Sequence, residues 1–210
     1  MNQKRLIFSH LFLSILCFLT AFLLQAAGAV RTEEAMAERI SPELLRFHIL
    51  ADSDSPQDQE LKLKVRDRIL QFVSDYGPSS SSKEELSRWL TDNQEQICNE
   101  AELCLAENGS PDQVNLSLTR EYFPRKSYEE FTFPCGVYDA LKVTIGEGRG
   151  HNWWCVLYPS LCISDTLGTS MPDASRSILQ EHLSSEDYQA LIKKRPKIQI
   201  RLRILDLPFL

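Results

Sequence analysis

The chain has 210 residues, 43% of them hydrophobic, with 23 basic against 29 acidic residues and a net charge of −6. Once an N-terminal apolar run is set aside, that length suits one globular core, and the acidic balance argues against nucleic acid as a partner. No CxxC, HExxH or Cys/His ligand spacing occurs, so no metal or cofactor is expected.

Lys4 and Arg5 precede LIFSHLFLSILCFLTAFLL, Leu6 to Leu24, which gives way to small residues ending at Ala29. The pattern fits a secretory signal cut after Ala29. The run also approaches the roughly 20 residues that cross a bilayer, so an uncleaved anchor is an equal reading. Either way the basic head keeps the N-terminus cytoplasmic and puts everything after Val30 beyond the membrane. The expected division is 1–29, signal peptide or membrane anchor, and 30–210, one exported domain. Without Lys4 and Arg5 that domain carries 21 basic and 29 acidic residues, a charge of −8.

Arg31 to Arg39 is a polar stretch. Beyond it Leu45, Phe47 and Ile49 alternate with Arg46, His48 and Leu50, the period of a strand with an apolar inner face. Asp52-Ser53-Asp54-Ser55-Pro56 breaks the strand. Ser55 then caps a helix predicted to reach about Tyr76, with Pro56 in its first turn and Leu61, Val65, Ile69, Phe72, Val73 and Tyr76 on one face. Lys62 and its charged neighbours fall mainly on the others, and Gly77-Pro78 ends the helix.

Ser82 with Glu85 opens a second helix, predicted to run to Asn108-Gly109 with Leu86, Leu90, Ile97, Ala101, Cys104 and Leu105 inward. Cys98 and Cys104 read as small core residues. A strand follows from Val114 to Phe123, then, after the central stretch described next, an irregular segment over Thr166 to Ser175. Short helices are predicted over Ile178 to Leu183 and Tyr188 to Lys194, the second opened by Ser184 and Asp187. A last strand follows, with Ile198, Ile200, Leu202 and Ile204 inward and Arg201 and Arg203 outward. The expected class is α+β, a mixed or antiparallel sheet covered by the two long helices and preceded by the N-terminal hydrophobic segment.

Gly136 to Asp165 concentrates the chemistry, holding four of the eight glycines, two of the three tryptophans and two of the six cysteines. Alternating apolar residues on either side of Gly146-Glu147-Gly148-Arg149-Gly150-His151-Asn152 predict a β-hairpin with a glycine-rich tip. The G-x-G-x-G spacing opens a strand rather than a helix and carries Glu147, which disfavours a phosphate cradle. Protein recognition suits it better. Trp153 and Trp154 point to opposite faces of a strand, so one indole is expected outward beside Glu147, Arg149, His151 and Asn152. An alternative is a cysteine-type cell-wall hydrolase built on His151, Asn152 and Cys155. Five cysteines lie beyond the membrane, an odd number. Cys155 and Cys162 form a candidate disulfide, although a tight turn at Pro159-Ser160 would set Cys155 opposite Ser164 instead.

The segments RFHILADSDSPQDQELKLKVRD (Arg46 to Asp67) and PCGVYDALKVTIGEGRGHNWWCVLYPSLC (Pro134 to Cys162) resemble the two signature blocks of the stage II sporulation protein R family of endospore-forming bacteria. The resemblance runs from about Ile40 to Asp165, with the closing strand, and GEGRGHNWWC carries most of it. It implies a protein made in the forespore, exported into the space between the septal membranes and secreted or held there by its N-terminal segment. Its implied partner is the extracytoplasmic face of a membrane-embedded aspartic protease of the mother cell, which processes a sigma-factor precursor once triggered. The chain would then be a signal and not an enzyme. Three positions depart from the family pattern: Asp52 stands where Asn is usual, Cys135 where a small residue is usual, and Ser160 where Pro is usual.

Overall fold

In a computed structural model of the protein, residues 3–78, 82–128, 131–160 and 173–192 are described. β1 (Leu45–Leu50) lies inside a four-stranded sheet, paired in parallel with β5 (Gly136–Ile145) and antiparallel with β6 (Asn152–Tyr158), while β2 (Val114–Phe123) borders β5 antiparallel. The sheet is therefore mixed, in the order β2-β5-β1-β6. A separate two-stranded ribbon, β3 (Lys126–Tyr128) with β4 (Phe131–Phe133), adds Tyr128, Phe131 and Phe133 to the core.

The predicted hairpin of residues 136–165 is corrected by this order. Both strands exist, but β1 runs between them, with Phe47 opposite Leu141 on one side and Cys155 on the other. The reason lies in β1 itself. Phe47 and Ile49 are fully buried on one face, and Arg46 and His48 are 0% and 1% exposed on the other. A strand covered on both faces takes a central place in a sheet.

Helices cover the Phe47 face. α2 (Pro56–Tyr76) starts where Ser55 Oγ accepts the Asp58 N–H at 3.1 Å, and it buries Leu61, Val65 and Ile69; Tyr76 stays exposed past the end of the stripe. Ser82 likewise caps α3 (Lys83–Asp92) through the Glu85 N–H. The second long helix is interrupted. Asn93 turns its side-chain amide back onto the Trp89 carbonyl at 2.8 Å, and α4 (Gln94–Glu107) begins anew. Asparagine competes in this way with the helical ladder. The whole predicted stripe from Leu86 to Leu105 is nonetheless buried, because α3 and α4 both face the core.

α1 (Gln3–Ile40) runs on through the polar stretch of Arg31 to Arg39 and is followed by a single 3-10 turn (Ser41–Glu43). From residue 7 to residue 32 it is exposed all round, and the span Ile7–Glu43, with a window of mean hydropathy 2.3, is long and apolar enough to cross a membrane. From Glu33 onward one helical face turns inward: Ala37 and Ile40 are fully buried, and Glu33 pairs with Arg125 at 2.8 Å. The helix lies so near β5 that a Cβ on Gly136 would overlap that of Ala37. α5 (Asp173–His182) and α6 (Ser185–Ile192) complete the described chain; Ser184 caps α6, and Arg39 of α1 pairs with Asp187 at 2.6 Å. The last strand predicted at Ile198 to Ile204 and most of the irregular segment at 166–175 lie outside the described residues, and the last part of that segment is the start of α5.

Candidate functional site

Because β5 and β6 flank β1, the loop joining them, Gly146 to His151, must pass over the end of β1 and meets the turn that leads into α2. Four backbone N–H groups of the loop donate to that turn. Glu147 reaches Asp52 Oδ1 at 2.7 Å, Arg149 the Asp52 carbonyl at 3.0 Å, Gly150 the Ala51 carbonyl at 2.9 Å and His151 Asp54 Oδ1 at 2.6 Å. Gly146 and Gly148 take φ of 55° and 63°, the left-handed region that glycine enters without penalty. The Asp52 side chain acts only as an acceptor in these contacts, a role an asparagine oxygen fills equally well.

The turn is itself braced. Ser53 Oγ bonds the Asp58 carboxylate, and Gln59 Nε2 donates to the Ser53 carbonyl at 2.9 Å. Lys62, 5% exposed, donates from Nζ to the His151 carbonyl at 2.8 Å and to Gln59 Oε1 at 2.5 Å. Burial pushes its ammonium below the ordinary lysine range. The periodicity of α2 had set Lys62 among outward charges. It sits beside Leu61 at the stripe's edge, and only the arrival of a distant loop gives it a task.

What the loop presents is charged. Glu147 and Arg149 pair at 2.5 Å with side chains 68% and 71% exposed, and His151, 79% exposed, bonds Asp54 through Nδ1. That hydrogen bond holds the Asp54 carboxyl below the usual range. The remaining expected contact residues sit deeper. Asn152 is half-buried with Oδ1 3.1 Å from His48 Nδ1. Neither indole stands free: Trp153 lies edge-on to Phe47 under the Arg66 guanidinium, and Trp154 stacks on His48 with ring centroids 4.9 Å apart. Each packs on its own face of the sheet, as alternation requires.

Cys155 is fully buried on the Phe47 face, a free thiol whose Sγ lies 3.6 Å from the Val156 carbonyl, while His151 is held outside by Asp54. The thiol and imidazole of the candidate hydrolase are thus not brought together. Cys162, the other half of the candidate disulfide, lies outside the described residues.

Behind the loop, His48 Nε2 lies 3.2 Å from Glu121 Oε2, without the alignment of a hydrogen bond, and Glu121 also takes Lys142 at 2.8 Å. Burial pushes the imidazole below its ordinary range, against the pull of Asn152 and Glu121. A histidine whose folded-state pKa is depressed contributes stability above its unfolded value of about 6.5 and loses it as pH falls toward the folded value. The melting midpoint of the parent chain is therefore expected to drop between about pH 7 and pH 5, more steeply than that of His48→Gln. Parallel profiles for the two proteins would contradict the assignment.

The sequence profile of the family described as stage II sporulation protein R matches residues 41–167. "Stage II sporulation protein R" of Bacillus subtilis (strain 168) is 33% identical over 158 residues, spanning 72% of this chain and 70% of that protein. No solved structure matches the chain. The turn at Asp52 to Ser55 and the loop at Gly146 to His151 both lie within the matched span.

Proposed function

The chain belongs to the stage II sporulation protein R family, and on that premise we propose that it is an intercellular signal that activates a membrane-embedded aspartic protease, leading to processing of a sigma-factor precursor. The observation that carries this reading is the docking of the two signature segments into one braced projection. Glu147, Arg149 and His151 stand outward on it, each more than two-thirds exposed, on backbone pinned by four hydrogen bonds. Preorganised charged groups on a rigid loop suit recognition because little freedom is lost on binding. Asn152, Trp153 and Trp154 hold the projection from behind. The partner surface is the extracytoplasmic face of the protease, and docking favours its active arrangement through higher affinity for that arrangement.

The apolar part of α1 fits delivery across the forespore membrane, with the domain in the intermembrane space and either tethered or released. The chain itself supplies no catalytic group in this reading. Arg149→Ala and His151→Ala are expected to leave the chain folded and exported while each lowers affinity for the protease by roughly 2 kcal/mol, about thirtyfold. Precursor processing measured in sporulating cells would fall accordingly. Parental processing in both variants would remove the projection from the interface.

A further inference from the structure

His151 is held at three points, and the arrangement decides which of its ring nitrogens faces outward. Its backbone N–H donates to Asp54 Oδ1 at 2.6 Å, its carbonyl accepts from Lys62 Nζ at 2.8 Å, and its ring meets the same Asp54 oxygen through Nδ1. Gln59 Nε2 lies 3.4 Å from that oxygen, on the side of α2. With the backbone pinned on both sides of the Cα and Nδ1 tied to the carboxylate, the ring has one place to lie. The side chain is nonetheless 79% exposed, and among the described residues Nε2 has no hydrogen-bond partner.

The chemistry of the acceptor fixes the proton. An ionised carboxylate has no hydrogen to give, so the imidazole nitrogen that meets it must carry one. The bond to His151 holds the Asp54 carboxyl below the usual range, which keeps it ionised at neutral pH. Neutral His151 is therefore the Nδ1–H tautomer, the reverse of the form that prevails in an unconstrained imidazole. Its Nε2 lone pair is turned to solvent, because the bond made by one ring nitrogen sets the state of the other.

We propose that Asp54 is a positioning residue for recognition, holding His151 so that Nε2 accepts a hydrogen bond from an N–H or O–H donor on the partner. This role rests on the proposed docking of the projection on the protease. An ionised aspartate or glutamate of the partner would bring only lone pairs against the Nε2 lone pair, whereas lysine, arginine and the hydroxyl residues offer a hydrogen. Arg149 is paired with Glu147, and Lys62 is turned to the His151 carbonyl. The negative charge of Asp54 behind the ring thus favours a lysine or arginine over a neutral hydroxyl.

Two isosteres separate the ring nitrogens. Glutamine places its amide near the position of Nε2 and can accept there, while asparagine reaches only the position of Nδ1. Precursor processing in sporulating cells is expected to stay within about threefold of the parent in His151→Gln and to fall about tenfold or more in His151→Asn. Asp54→Ala should lose processing as His151→Asn does. Asp54→Asn should restore it, since the amide oxygen still accepts both N–H groups. The His151 isosteres keep the test intact whatever Asp54→Ala does to folding.

The proton itself is read by nuclear magnetic resonance on the full chain in mild detergent, isotope-labelled at the histidine nitrogens, in mildly alkaline buffer. The His151 signals, identified by their absence from His151→Gln, are expected to show a protonated Nδ1 and a bare Nε2 in the parent and in Asp54→Asn. They should move toward the Nε2–H form in Asp54→Ala. A bare Nδ1 in the parent overturns the positioning role. So does processing that survives in His151→Asn but not in His151→Gln, or that is lost equally in both. Parental processing in both isosteres and in Asp54→Ala, with Nδ1 protonated, removes the projection from the interface and the recognition role with it, while the tautomer stands.

Discussion

Gly150→Val is expected to cost about 3–5 kcal/mol of stability and to abolish signalling. A Cβ at position 150 would overlap the Ser53 carbonyl oxygen and come within 2.6 Å of the carbon that bears it. Those are backbone atoms of a turn already fixed by Ser55, Asp58 and Gln59, so they cannot move aside as a flexible side-chain tip would. The loop has to lift instead. Overpacking of this kind costs about 1–3 kcal/mol, and lifting forfeits the bonds from Arg149 and Gly150 to the turn, at about 1 kcal/mol each. Gly109→Ala is the matched control: φ is 79° but nothing lies within 4 Å of the added carbon, so about 1 kcal/mol and parental signalling are expected. Urea unfolding of the two variants in mild detergent, beside precursor processing in cells, checks both. A Gly150→Val chain as stable as the parent would mean that the loop does not dock on the turn.

Arg46→Ala is expected to destabilise the chain by about 3–5 kcal/mol, whereas Arg46→Met should leave stability unchanged or raise it. Arg46 is fully buried and encircled by the rings of Phe123, Tyr138 and Phe133, with its guanidinium carbon 4.7, 5.1 and 5.6 Å from their centroids. Nε donates to the Cys155 carbonyl at 2.9 Å, but Nη1 and Nη2 are buried without a hydrogen-bond partner among the described residues. Truncation to alanine empties the ring cage, and cavities of that size carry the cost just given. Methionine fills the space without bringing a charge out of water, an exchange that is often neutral or stabilising for buried ions. Thermal melts of the two variants separate volume from charge. Equal losses in both would show that attraction between the cation and the ring faces holds β1, β5 and the β3–β4 ribbon together.

Local signals in the chain were legible and neighbour relations were not. Ser55, Ser82 and Ser184 all cap the helices assigned to them, since a capping hydroxyl and the backbone N–H that donates to it lie three residues apart in any context. The strands at Leu45, Val114, Gly136 and Asn152 followed from alternation. Alternation says nothing about which strands pair, however, and Arg46 and His48 disguised β1 as a strand with one wet face. The continuation of α1 past Arg31 was hidden in the same way, by the charges that flank Glu33, Ala37 and Ile40. At the site, Glu147, Arg149 and His151 stood out by composition and are exposed together. Asp54 and Lys62, which hold them, lie about 90 residues away and became visible only when the loop met the turn.

A photo-crosslinking amino acid placed at position 149 in sporulating cells tests most directly whether the charged projection meets the protease. The account predicts a covalent adduct with the protease from position 149 and none from position 95, an exposed site on α4 on the helical side of the sheet. An adduct from position 95 together with silence at 149 would place the interface on the helices and contradict the account.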